Sequence, residues 1–260
     1  EMTDEPFYAF AFDGVLGLGL ESLALAPEFS FFGMLTSQKR LEQPSFAVFL
    51  ADSEDEISEI SFGGHSPQRV AGPLTWVPVA SPELGHWQVQ IRRVRLGNQT
   101  LDYCEDGGCR AVLDTGTSLV GLPSSIFDEV KSSLEGALRD PGHAAPLEDG
   151  ALDCGLAEGL SLHFEVSGFV ITLEPRDYAR PSAVLEDMDE DDIEEREEEE
   201  ASDPDAAEDP ESEDGQEEEH PVPMSTCRPA VLSLRMPAPL GPKLFIWGEP
   251  VLRKYYTAYD

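Results

Sequence analysis

An all-β fold is predicted by three features of the sequence. The chain holds 22 Gly and 21 Pro in 260 residues, and they recur between short apolar runs. Trp76-Val77-Pro78-Val79 and Trp87-Gln88-Val89-Gln90-Ile91 show the period-2 alternation of half-buried strands. Helical periodicity is read in two segments alone. This texture suits many short strands joined by turns better than a helical bundle. The length allows one large all-β domain, or one whole domain with part of another.

Along the chain, residues 1–67 are apolar and turn-rich. Pro27 to Leu41 reads as a helix with Phe31, Met34 and Leu35 near one face, and Ser45 to Leu50 as a strand. Residues 74–113 supply several strands, with Gly97-Asn98 as a turn between two of them. A helix is expected over 124–138, because Ile126, Val130 and Leu134 recur every four residues and Ser124 or Ser125 can cap it. Strands resume at Leu160–Val166 and Val170–Leu173, and again at Val231–Met236 and Lys243–Trp247. Pro250–Tyr256 is a short amphipathic stretch.

The formal net charge of -35 is concentrated. Residues 186–219 hold 22 of the 52 acidic residues and a single Arg. With almost no aromatic or β-branched side chains, that run buries too little apolar surface to offset its ordering entropy, so residues 185–220 are expected to form a disordered acidic loop. Asp187, Asp189, Asp191 and Glu198 fall at positions 1, 3, 5 and 12 of a calcium-loop pattern, but Asp192 stands where the turn needs Gly. A run this acidic meets such spacings by chance, and neither a metal nor a cofactor is expected. Nucleic acid is excluded as a partner, since 17 Lys and Arg cannot build a phosphate-binding surface against 52 acids. An acidic balance suits work at low pH, where carboxylates lose charge. No apolar run is long enough to span a membrane. The chain opens with Glu1 and shows no signal peptide, and it reads as a processed or truncated polypeptide.

Four cysteines, Cys104, Cys109, Cys154 and Cys227, allow two disulfides, free thiols or a zinc site. Zinc wants a closely spaced pair with matched His spacing, and the five His are scattered, so disulfides and an oxidising compartment are expected. Asn98-Gln99-Thr100 is a glycosylation sequon consistent with that route.

The chemistry is concentrated in Ala111-Val112-Leu113-Asp114-Thr115-Gly116-Thr117-Ser118-Leu119-Val120-Gly121. An apolar strand delivers the Asp114 carboxylate to a tight turn. Gly116 permits close backbone approach and the Thr hydroxyls can hold the loop. An Asx turn ending a strand has the same outline; the apolar flanks and the Thr-Ser after the glycine favour a catalytic carboxylate.

Here the sequence resembles the pepsin-like aspartic proteases. Phe12-Asp13-Gly14-Val15-Leu16-Gly17-Leu18, Gly63-Gly64, Gly72-Pro73-Leu74-Thr75-Trp76-Val77-Pro78-Val79, Gly85-His86-Trp87-Gln88-Val89 and Leu252-Arg253-Lys254-Tyr255-Tyr256-Thr257 are similar to family blocks in the family's order. The resemblance implies the C-terminal lobe of a bilobal all-β fold (68–260), preceded by the end of the N-terminal lobe and the interlobe connection (1–67). It implies that Asp114 is the second catalytic aspartate. Thr115 corresponds to the hydroxyl that buttresses the two active-site loops, and Gly116 and Thr117 to positions that contact the substrate backbone. It also implies the pairs Cys104–Cys109 and Cys154–Cys227, the latter enclosing the acidic run. Val15-Leu16-Gly17 and Phe245-Ile246-Trp247-Gly248 match the segments that each lobe packs against its aspartate loop.

Three departures stand out. The chain has no other Asp-Thr-Gly or Asp-Ser-Gly, so the first aspartate is absent from these residues. Trp247 and Glu249 stand where the family has Leu and Asp, and a Trp there needs room. The chain ends at Asp260, before the last strand usual in the family. The expected function is an aspartic endopeptidase acting on polypeptides in a secretory, extracellular or acidic endolysosomal or vacuolar compartment. A missing N-terminal lobe, on the same precursor or a separate chain, would supply the other aspartate, and these 260 residues alone are expected to be inactive. The alternative is a non-catalytic pseudoprotease or binding lobe, against which the intact Asp-Thr-Gly-Thr argues. A homodimer rebuilding a symmetric pair is a third reading, which residues 1–67 would obstruct.

Overall fold

The computed structural model describes residues 14–53, 55–139, 152–183 and 225–260. The first strands are β1 (Phe46–Phe49), β2 (Glu59–Phe62), β3 (Gln88–Gln90), β4 (Arg93–Leu96) and β5 (Gln99–Leu101). Next come β6 (Arg110–Leu113), β7 (Val120–Pro123), β8 (Leu162–Val166), β9 (Phe169–Leu173) and β10 (Ala179–Ala183). The last are β11 (Ser225–Pro229), β12 (Val231–Leu234), β13 (Leu244–Trp247) and β14 (Thr257–Tyr259). Among the described residues four α-helices accompany them: α1 (Phe31–Ser37), α2 (Ser124–Ala137), α3 (Pro175–Tyr178) and α4 (Glu249–Lys254). The chain is therefore β-built, as expected.

The sheet that matters most has the order β12-β7-β13-β6-β3. In it β13 runs parallel to β6 and antiparallel to β7, so it lies between the strands on either side of Asp114. A second sheet, β5-β4-β8-β9, covers it. Its β8 alternates Leu162, Phe164 and Val166 inward with His163 and Glu165 outward, the pattern that one buried face demands. Ile126, Val130 and Leu134 of α2 close the core from the side. Phe164 is fully buried against Phe245 and Trp247 of β13, with ring centroids 5.7 and 5.3 Å apart. A third sheet, β14-β1-β2, joins residues far apart in the chain, and its Phe46 and Tyr259 cluster with Trp87, the residue before β3.

Both disulfides implied by the resemblance are present. Cys104–Cys109 closes the turn just before β6, and Lys243 grips that turn through the Tyr103 carbonyl (2.7 Å) and Asp106 (2.8 Å). Cys154–Cys227 ties β11 to the turn after α2; the acidic run inside its loop, and the calcium-loop pattern in it, lie outside the described residues.

Several elements differ from the sequence expectation. The first helix is shorter, because Pro27–Phe29 forms a separate 3-10 turn, Ser30 caps the α-helix through Gly33 N–H, and Lys39 takes a φ of 53° that ends it. Trp76–Val79 alternates but pairs with no strand among the described residues; alternation marks a face, and only a partner makes a ladder. Helix α2 starts at Ser124 with Pro123 in the capping position, and the Ser125 hydroxyl bonds Tyr103 Oη at 2.8 Å instead of capping.

Phe164→Ala should lower stability by about 3–5 kcal/mol, because it empties the contact between the two main sheets. Denaturant midpoints compared with the parent chain check this; an unchanged midpoint would show that the sheets do not meet there.

Candidate active site

Asp114 is the residue after β6, where the strand leaves the five-stranded sheet for a tight turn. Its backbone N–H donates to the Trp247 carbonyl at 3.1 Å, so the neighbouring strand β13 fixes its height. Its carboxylate oxygens are held separately. Gly116 N–H donates to Oδ1 at 2.9 Å, and the Thr117 hydroxyl donates to Oδ2 at 2.7 Å. A Cβ on Gly116 would lie 3.3 Å from Oδ1, so the glycine keeps that N–H close. Charge-assisted bonds of this kind set the direction of a carboxylate as well as its energy.

The loop is pressed onto β13 from behind. A Cβ on Gly248 would stand 2.0 Å from the Thr117 carbonyl oxygen and 2.4 Å from that of Leu119, a fit no other residue allows. Glu249 N–H donates to the Thr117 carbonyl at 2.8 Å. The Glu249 carboxylate accepts from Ser118 Oγ (3.4 Å) and from Arg253 (2.8 and 3.1 Å), and Arg253 reaches on to the Ala51 carbonyl beside β1. As a half-exposed i,i+4 pair, Glu249–Arg253 contributes about 0.3–0.5 kcal/mol, so its consequence is to fix positions rather than to hold the fold.

The other side of the aspartate is open. Asp114 and Thr115 line a cavity of about 540 Å³, together with Leu18, Phe46, Trp87, His86 and Tyr259. Trp87 Nε1 donates to the Leu18 carbonyl at 2.7 Å, which anchors the segment after Gly14 along one wall. Burial pushes the Tyr259 phenol up to about 12, and the charge of Asp114 adds to the rise. A neutral phenol stacked on Phe46 at 4.5 Å therefore stands beside the carboxylate over the whole acid-to-neutral range.

The family model described as eukaryotic aspartyl protease matches residues 1–188. The chain belongs to that family. Among its relatives, vacuolar protease A of Neurospora crassa is 31% identical over the whole of this chain and 53% of its own length. Cathepsin E of Mus musculus is 28% identical over the whole chain and 55% of its length, and cathepsin E-A of Xenopus laevis 28% over the whole chain and 54%. The chain thus spans about half the length of these relatives.

Within this aspartyl protease chain, the structure brings Asp114, Thr115, Gly116 and Thr117 into one turn, with Thr115 and Gly116 exposed and Thr117 half-buried. The Gly248 segment packs on that turn as the resemblance implies. The Val15-Leu16-Gly17 segment packs on nothing comparable among the described residues: Val15 is 77% and Leu16 59% exposed. Trp247 finds its room against Phe164 and beside a second cavity of about 500 Å³, but its buried Nε1 has no hydrogen-bond partner among the described residues. Such an orphan costs about 1–3 kcal/mol. Sequence reading missed Tyr259 and the Glu249–Arg253 bracket, because only pairing of β1 with β14 and the turn of α4 bring them to the site. No three His, Cys, Asp or Glu side chains among the described residues converge on a point that could hold a metal. No helix there is long and apolar enough to cross a membrane.

Gly248→Ala should collapse this loop. The expected loss is at least about 3 kcal/mol, the upper end of overpacking costs, read as a lowered thermal midpoint; full tolerance would mean that the close approach is not made.

Proposed function

We propose that this chain is the second half of an aspartic endopeptidase, in which Asp114 is one of two catalytic aspartates and the other comes from outside these residues. The observation that carries this reading is the Asp114 carboxylate itself. Gly116 and Thr117 each hold one of its oxygens, and it lies open to a largely apolar cavity with no second aspartate along its walls among the described residues. Residues 1–67 are then the end of the first lobe and 68–260 the second lobe.

The chemistry needs two carboxylates about 3 Å apart that share one proton, as in pepsin, which is the standing example of such a pair. One takes a proton from the attacking water while the other, protonated, donates to the scissile carbonyl oxygen. Held by Gly116 and Thr117, Asp114 needs no reorganisation to take part. Apolar walls strengthen each of these interactions by excluding water. Gly116 and Thr117 also border the path of an extended polypeptide substrate. The bare Val15 and Leu16 suit packing against the aspartate loop of the other half. By the same reasoning the 260 residues alone are inactive. An acidic secretory, endolysosomal or vacuolar compartment fits the acidic composition and the two disulfides.

The test is an assay of the complete two-lobed protein on a denatured protein substrate at acid pH, with and without a statine-type inhibitor. Asp114→Asn should reduce turnover by about 10³-fold or more. Thr117→Val, losing a charge-assisted bond worth about 1.5–3 kcal/mol, should reduce it roughly 10- to 100-fold, and Thr117→Ser should restore most of it. Activity that survives Asp114→Asn would rule out Asp114 as a catalytic aspartate, and a complete protein without activity would leave a binding lobe.

A further inference from the structure

The chain contains one asparagine, Asn98, and it opens the triplet Asn98-Gln99-Thr100. Ser and Thr number 21 and 9 in 260 residues, so chance seldom sets a hydroxyl residue two places after a lone Asn. Asn-x-Ser/Thr, with x other than Pro, is the acceptor pattern for an N-linked oligosaccharide. The fold must also leave room for it, since a bulky solvated group needs an open site in the folded chain.

The position is open. Leu96 of β4 pairs with Gln99 of β5, which leaves Gly97 and Asn98 as the whole turn of the hairpin. Gly97 takes a φ of 53°, the conformation that lets a two-residue connection close without a side-chain clash. Asn98, Gln99 and Thr100 are all exposed, and β5 is the outermost strand of its sheet among the described residues. Leu101, the next residue, turns into the core, so the hairpin is anchored without help from the Asn98 side chain. The two disulfides point independently to the oxidising compartment in which this transfer takes place.

We propose that Asn98 carries an N-linked oligosaccharide. In the transfer, Nδ2 of Asn98 forms a bond to C1 of an oligosaccharide carried on a lipid pyrophosphate. The C1–O bond breaks, the lipid pyrophosphate leaves with the electron pair, and one amide proton is released. Thr100 supplies the hydroxyl by which the acceptor is recognised. The hairpin belongs to the four-stranded sheet and Asp114 to the five-stranded one, so the modification is independent of the peptidase reading and leaves the aspartate turn untouched.

The full chain, translated behind a cleavable signal peptide into endoplasmic-reticulum microsomes, should appear as a heavier, protease-protected species. Peptide-N-glycosidase should return it to the unmodified mass, with the conversion mapped to position 98. Asn98→Gln and Thr100→Ala should each abolish the shift, and Thr100→Ser should keep it. Transfer to the entering chain precedes folding, so a folding defect in a variant does not mask the result. A protease-protected parent chain of unmodified mass, or a shift that survives Asn98→Gln, would overturn the proposal.

Discussion

Between Trp247 and Glu249 the backbone of one strand runs so close to the turn after Asp114 that no side chain fits between them. The Trp247 carbonyl takes the Asp114 N–H, Gly248 lies against the Thr117 and Leu119 carbonyls, and Glu249 N–H returns a bond to Thr117. Much else follows from this contact. It requires β13 to be inserted between β6 and β7, which sets the strand order of the main sheet. It places α4 directly behind the turn, so that Glu249 and Arg253 bracket it toward β1. With the backbone of the turn fixed, the Asp114 side chain is left one free direction, into the cavity.

That cavity is walled in part by the third sheet and by Trp87. Phe46, Trp87 and Tyr259 pack edge-to-face and stacked there, and the buried phenol stays protonated through the range in which carboxylates titrate. The Thr117 bond is partly buried, where a polar contact to the carboxylate counts for more than it would in water. Gly116 N–H and the Thr117 hydroxyl are accordingly the two groups that set how Asp114 presents itself. Trp247 works against the economy of the core: its ring fills space next to Phe164, yet its N–H is buried without a partner among the described residues.

What could be read beforehand follows the range of the interactions. Asp114-Thr115-Gly116-Thr117 was legible because a carboxylate, a glycine and a hydroxyl within four residues make the turn by themselves. Helix α2 and strand β8 were legible because burial repeats at periods of 3.6 and 2 that any window displays. Pairing over long separations was not. Strands β10 and β11 lie on either side of the acidic run and pair from Ala179 with Pro229 to Ala183 with Ser225, and nothing local announces that register. Tyr259 reaches the site through its pairing with Phe46, more than two hundred residues earlier in the chain. Trp76–Val79 shows the reverse failure, since its alternation is real and it pairs with no strand among the described residues.

The most direct test of Asp114 as a catalytic aspartate is a structure of the complete two-lobed protein with a statine-type inhibitor bound. An Asp114 carboxylate oxygen should lie within hydrogen-bond reach of the inhibitor hydroxyl, about 3 Å from a second aspartate, with the Gly116 and Thr117 bonds retained. An Asp114 side chain turned away from the inhibitor, or covered by the other lobe with no carboxylate opposite it, would contradict that role.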